Sequence, residues 1–115
     1  MPARRLFALA HLEGRAVGCG ALLPFADDTG EIKRMYAEPG STGVGAALLA
    51  FLEDGARAMG LRRLVLETRW ANDRAVGFYR RHGYHLTDNY GPYAGRPWSA
   101  CFAKPLQQAP AGAIR

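Results

Sequence analysis

Hydrophobic and polar residues alternate along LFALAHLEG (Leu6 to Gly14), and the alternation resumes in RAVGCGALLPF (Arg15 to Phe25). Two period-two runs flanking a Glu13-Gly14 turn signal predict a β-hairpin. ADDTG is a second turn, and EIKRMYA (Glu31 to Ala37) reads as a third strand, antiparallel to the second. Pro39 has no N–H for a ladder bond, so pairing should stop there. The period then changes. In GVGAALLAFLEDGARAMG, residues Val44, Leu48, Phe51, Leu52 and Met59 fall on one stripe of a helix. Gly60 is a fitting stop, and Gly55 interrupts the helix at a cost of about 1 kcal/mol against alanine. LRRLVLETRW (Leu61 to Trp70) reads as a buried strand. Asn72 or Asp73 can cap a second helix running to Arg81 or His82, closed by Gly83. Tyr84 to Tyr90 and Trp98 to Lys104 are the last two strands, joined by GPYAGRP.

The predicted order is β-β-β-α-β-α-β-β. Antiparallel strands followed by one strand-helix-strand crossover give an α+β fold, a single mixed and mostly antiparallel sheet with helices packed on it. The 115 residues suffice for one domain, 1–106, with 107–115 expected as a disordered tail. Composition is that of a globular protein, 49% hydrophobic and 22% charged. No apolar run approaches the roughly 20 residues of a membrane span, and MPARRLF lacks the apolar core of a signal peptide. The expectation is a cytoplasmic protein with no membrane partner. Cys19 and Cys101 stand far apart without a CxxC or Cys/His neighbourhood. They are expected as small buried hydrophobes, with neither a metal nor a disulfide. The formal charge of +5 suits any small polyanion. Its basic residues are scattered and not interleaved with aromatics, so nucleic acid is an unlikely partner.

Candidate chemistry begins at EPGSTGVGAALL (Glu38 to Leu49), where glycines sit directly before a helix. A P-loop requires Lys and a hydroxyl where this chain has Ala46 and Ala47. A dinucleotide loop requires a small third residue where it has Leu48. A third explanation uses backbone alone: a helix starting near Gly43 leaves its first N–H groups unpaired at the positive end of its dipole, and Gly43 and Gly45 allow a pyrophosphate to approach them. A tight turn with no ligand explains the loop equally well.

Strand EIKRMYA, then GSTGVGAALLAFLE, then LVLET, then NDRAVGFYRRHGY, resembles the GNAT acetyltransferases (Gcn5-related N-acetyltransferases, which use acetyl-coenzyme A). Gly43 and Gly45 match the glycines of that family's acyl-CoA loop. Asn72, Ala75, Phe78-Tyr79 and Gly83-Tyr84 match its later motif in order and spacing. The resemblance covers roughly residues 6–106. It departs from the family where Gly40 replaces the Arg or Gln that opens the loop, and where the chain starts at what resembles the family's second strand. The elements usually found before that strand cover one sheet face and shape the acceptor site; a homodimer covering that face is the favoured expectation.

The resemblance implies acetyl-CoA as cosubstrate, no metal, and an amine of a small molecule or peptide as acceptor. It implies cofactor binding by the backbone of Gly43, Val44, Gly45 and Ala46, and by Met35, Tyr36 and Ala37 on a splayed strand, one of whose N–H groups would polarise the thioester carbonyl. Tyr79 is the implied acid for the thiolate. Its other reading is a helix tyrosine packed on the sheet. Asn72 would bond the pantetheine arm or simply cap its helix. Glu31 would be the base, directly or through water, or else an exposed residue at a strand start; Glu67 is a second base candidate. Lys33 and Arg34 are expected on opposite faces, one of them facing the acceptor. NYGPYAGRPWSA could fold over that site, with Tyr90, Tyr93 and Trp98 as walls. Two other functions stay open: a non-catalytic CoA-binding module, and a small basic nucleic-acid-binding domain.

Overall fold

The computed structural model describes residues 5–107; all but the first residue of the expected tail lies outside them. Six strands and two α-helices follow in the order β1 (Leu6–Leu12), β2 (Arg15–Ala26), β3 (Thr29–Ala37), α1 (Val44–Ala58), β4 (Arg63–Arg69), α2 (Asp73–Arg81), β5 (His85–Thr87) and β6 (Ser99–Pro105), with a 3-10 turn at Gly91–Tyr93. They form one sheet of spatial order β1-β2-β3-β4-β6-β5. Only β3 and β4 run parallel, as the α1 crossover between them requires. The predicted α+β architecture is the observed one.

The hairpin closes where the sequence places it. Leu12 faces Arg15 across Glu13 and Gly14, both with positive φ (53° and 78°), the backbone of a two-residue turn that matches strand twist. Helix α1 ends in a Schellman arrangement: the Gly60 N–H donates to the Arg57 carbonyl and the Leu61 N–H to the Ala56 carbonyl. Leu61 follows into the core. Helix α2 ends the same way, with the Gly83 N–H on the Arg80 carbonyl and the Tyr84 N–H on that of Tyr79.

Both helices contribute to one core. Leu48, Leu49, Leu52 and Ala56 of α1 and Tyr79 of α2 cluster with Leu22, Ile32, Leu64, Leu66 and Phe102 of the sheet. The predicted α1 stripe needs correction at Phe51, which is 54% exposed. The inner face instead carries Leu49 and, unexpectedly, the buried carboxylate of Glu53. That charge is satisfied: Glu53 Oε2 accepts from the Tyr84 hydroxyl (2.7 Å) and from Lys104 Nζ (3.0 Å). Gly55 has a packing reason, because a Cβ there would press on Leu6 Cδ2.

The penultimate strand is shorter than Tyr84–Tyr90. Pairing ends at Thr87 opposite Cys101, and residues 88–98 leave the sheet and return over its other face. There the Tyr90 hydroxyl donates to Glu31 Oε2 (2.7 Å) and Lys33 Nζ donates to the Tyr93 hydroxyl (3.1 Å), while the Phe25 and Tyr90 rings meet edge to face. Val65 and Cys101, which alternate away from the helices, are buried. This face is therefore covered over β3, β4 and β6 and open along β1, where Phe7 and Leu9 are 64% and 67% exposed, whereas Ala21 of β2 is buried. Both cysteines are free. Cys101 is buried as expected, but Cys19 is only partly so, with Sγ 3.4 Å from the Arg34 carbonyl. No helix among the described residues is long and apolar enough to cross a membrane.

Candidate active site

Strands β3 and β4 pair only from Thr29 opposite Arg63 to Ile32 opposite Leu66. Beyond Ile32 they diverge, and the edge of β3 from Lys33 to Ala37 that faces β4 is released from the ladder. Two things drive the divergence. A bulge sets Arg34 and Met35 both opposite Gly20, since Ala21 faces Lys33 and Cys19 faces Tyr36. Then the turn at Pro39-Gly40, closed by the Ser41 N–H on the Glu38 carbonyl (3.0 Å), swings the chain into α1.

The gap holds a cleft of about 280 Å³ lined by Met35, Tyr36, Ala37, Gly45, Asn72 and Tyr79 together with Arg74, Ala75 and Phe78. Of the predicted cofactor residues, Met35, Tyr36 and Ala37 of β3, Gly45 of α1, Asn72 and Tyr79 meet at this cleft, whereas Gly43, Val44 and Ala46 are not among its lining residues. Helix α1 begins at Val44 after Gly43, whose φ of 77° lies in the left-handed region; glycine adopts it at little cost. The first intrahelical bond runs from the Ala47 N–H to the Gly43 carbonyl (3.0 Å), so the N–H groups of Val44, Gly45 and Ala46 have no partner within the helix. No side chain caps this end. At Gly45 the absent side chain faces protein: a Cβ would lie 3.3 Å from Phe78 Cε1 and Cζ. The glycine lets α1 and α2 approach, a reason distinct from the close ligand approach expected for it. Around Gly43 the space is open.

On α2, Asn72 is the N-cap: its Oδ1 accepts from the Ala75 N–H (3.1 Å). Its capping role is thus observed, and its side chain also borders the cleft. Arg74 is a cation the sequence reading passed over. Its only signal there was its place two residues after Asn72 in the matched motif. Tyr79 is buried by ring contacts with Phe78 and Tyr84, and burial pushes its hydroxyl up to about 12. It therefore stays a protonated acid at neutral pH.

A second cleft of about 200 Å³ continues along the gap, lined by Lys33, Arg34, Met35, Glu67, Thr68 and Tyr79 among others. Glu67 is positioned by the Ser99 hydroxyl, which donates to its Oε2 (2.7 Å). Glu31 lines neither cleft; it lies on the face covered by the 88–98 loop, with Oε1 4.0 Å from Lys33 Nζ. Lys33 is raised by its bond to the Tyr93 hydroxyl, opposed by burial. Of the expected aromatic walls, Tyr90 and Tyr93 close over Glu31 and Lys33, whereas Trp98 is half exposed. Among the described residues no group of three or more His, Cys, Asp and Glu side chains could hold a metal ion.

Comparison with known proteins places these features in a family. The family model "Acetyltransferase (GNAT) family" matches residues 1–84. A protein of Azospirillum brasilense named IAA acetyltransferase is 41% identical over 106 residues, covering 87% of this chain and 67% of the relative. Probable N-acetyltransferase 14 of Xenopus tropicalis is 34% identical over 76% of this chain, which spans only 44% of that protein. Among solved structures, a Klebsiella pneumoniae protein assigned to the acyl-CoA N-acyltransferases superposes with TM-score 0.83 at 36% identity, covering 90% of this chain and 74% of the other. N-acetylglutamate synthase of Neisseria gonorrhoeae, solved with coenzyme A and N-acetyl-glutamate, gives TM-score 0.76 at 26% identity over 89% of this chain and 26% of that one. With the splayed strands, and with Gly45 of the uncapped helix start, Asn72 and Tyr79 on one cleft, this chain belongs to the GNAT family of acetyltransferases.

Proposed function

We propose that the protein transfers an acetyl group from acetyl-CoA to an amine of a small molecule or peptide. One observation carries this reading: the released edge of Met35–Ala37, Gly45 in the uncapped first turn of α1, and Tyr79 line one cleft in the gap between β3 and β4. That arrangement fits coenzyme A without any lysine or metal. The helix start suits the pyrophosphate, the free strand edge suits the amide-bearing arm, and exposed Arg74 adds a positive charge nearby. When bound, acetyl-CoA supplies a thioester for an amine to attack.

The chain's own residues supply proton management. Tyr79 holds a proton on its hydroxyl at the wall shared by both clefts and serves as the acid. Glu67 and Glu31 are the two candidate bases. Glu67 borders the cleft with Tyr79 and is placed to act directly. Glu31, behind the 88–98 loop and tied to Tyr90, acts through water. An N–H of the Met35–Ala37 edge would polarise the thioester carbonyl of the donor.

The test has two arms. Thermal shift with CoA, dephospho-CoA and ATP reads the cofactor: CoA should stabilise the fold, and stabilisation by ATP alone sinks the reading. Release of free thiol from acetyl-CoA in the presence of an amine panel reads the chemistry. CoA binding without thiol release on any amine would replace the enzyme with a CoA-binding module.

A further inference from the structure

Arg34 is held at a backbone cost. It is the first of the two bulge residues opposite Gly20, and its φ is 57°. In a bulge of this kind the left-handed position ordinarily belongs to glycine. A side chain with a Cβ raises the energy there by about 1–2 kcal/mol. Met35, next to it, turns toward the helices, close to where a Cβ on Gly20 would sit. The Arg34 guanidinium has no hydrogen-bond or ion-pair partner among the described residues. The nearby carboxylates are already engaged, Glu31 by Tyr90 and Lys33, and Glu67 by Ser99. Lys33 is also committed, through its bond to Tyr93.

Arg34 stands between two spaces. It lines the 200 Å³ cleft that holds Glu67 and Tyr79. It also lines a groove of about 440 Å³ on the open half of the sheet face, whose other walls are Phe7, Leu9, Cys19 and Ala21. A free cation at the joint between a reaction cleft and an apolar groove fits a molecule with three parts: an amine for the cleft, an anion for the guanidinium, and an apolar body for the groove. A guanidinium fork matches a carboxylate in two parallel hydrogen bonds. Resting on the acetyltransferase reading above, we propose that Arg34 determines acceptor specificity by pairing with a carboxylate of the acceptor amine, whose apolar portion lies against Phe7 and Leu9.

Calorimetry on the CoA-loaded protein tests this without turnover, using N-acetylleucine and N-acetylleucinamide as probes. The acid should bind about tenfold or more tighter than the amide, the scale of one charge-assisted contact. Arg34→Gly should erase the preference while melting no lower than wild type, because glycine relaxes the left-handed backbone; Arg34→Lys should restore part of it. In steady state, the ratio of KM values for leucine and leucinamide should collapse in Arg34→Gly with little change in either kcat. Equal binding of acid and amide by the wild type, or a preference that survives Arg34→Gly, overturns the proposal. So does a dimer in sedimentation velocity that Leu9→Arg dissociates, since a second copy then fills the groove. Selective acid binding with no acetylation of either amine leaves the Arg34 assignment standing and removes the acetyltransferase reading. Acetylation of both amines with unchanged KM ratio does the reverse.

Discussion

The Tyr90 hydroxyl donates a 2.7 Å hydrogen bond to Glu31, joining a loop residue to a strand residue 59 positions earlier. It fastens the 88–98 loop to the sheet, and burial together with this bond raises Tyr90 well above an ordinary phenol. Tyr90→Phe removes the donor and leaves a partly buried carboxylate short of one partner. We expect a loss of about 1–2 kcal/mol in urea unfolding, with faster amide exchange across residues 88–98. An unchanged midpoint would show that the loop is held by its ring contacts alone.

Tyr79 carries the prediction closest to the chemistry. Tyr79→Phe keeps the ring contacts with Phe78 and Tyr84 and deletes only the proton donor. The expected result is a fall in kcat of about 10²-fold, the lower end for a general acid, with CoA affinity by calorimetry within about twofold of wild type, since uniform binding is untouched. Equal loss in both quantities would reassign Tyr79 to cofactor binding.

The same residue sets an alkaline limit on stability. Its pKa is raised from 10 to about 12 by burial, so the folded state keeps a proton that the unfolded chain loses first. The stability this represents is complete below about pH 10 and is lost between about pH 10 and 12. Tyr84 and Tyr90 are shifted in the same direction. Urea midpoints measured from pH 8 to 11 should be flat to about pH 10 and then drop, less steeply in Tyr79→Phe.

The two carboxylate candidates separate by substitution. Glu67→Gln keeps an acceptor for the Ser99 hydroxyl and should lower kcat by about 10²-fold if Glu67 is the base. Glu31→Gln should then cost less than about tenfold. The reverse order in single-turnover acetyl transfer would assign the base to Glu31, behind its loop.

How much of this was legible in the residues depends on what fixes each feature. The hairpin, both helices and the crossover follow local signals: alternation, the Glu13-Gly14 turn, the Asn72 cap, the glycines closing each helix. The misreadings are tertiary. Period alone put Phe51 on the stripe, but α1 is rotated so that Glu53 turns inward, because Tyr84 and Lys104 wait there as partners. The last strands looked continuous through Tyr90 because aromatic residues favour strands; Tyr90 is instead drawn out of the sheet by Glu31 and Phe25. Lys33 and Arg34 were expected to alternate, and the bulge opposite Gly20 breaks the alternation. At the site, the motif located Tyr79 and the helix start, whereas the neighbours that position Glu67 and the open surroundings of Arg34 come from distant parts of the chain.

The buried trio of Glu53, Tyr84 and Lys104 yields the last test, and it concerns what anchors the end of α2. Lys104 Nζ bonds Glu53 Oε2 (3.0 Å) and the His82 carbonyl (2.9 Å), so one side chain ties α1, the C-terminus of α2 and β6 together. Breaking a fully buried ion pair costs about 3–5 kcal/mol. Lys104 keeps some solvent contact, so Lys104→Met should cost about 2 kcal/mol once screening is allowed for. Glu53→Gln alone should cost less, since its amide oxygen still accepts from Tyr84. A double-mutant cycle should give a coupling of about 1 kcal/mol or more. Because the motif that places Tyr79 lies on α2, Lys104→Met should also raise exchange at residues 79–84 while that of α1 stays protected. Uniform loss of protection across both helices would mean that the trio supports the whole core and not this helix end.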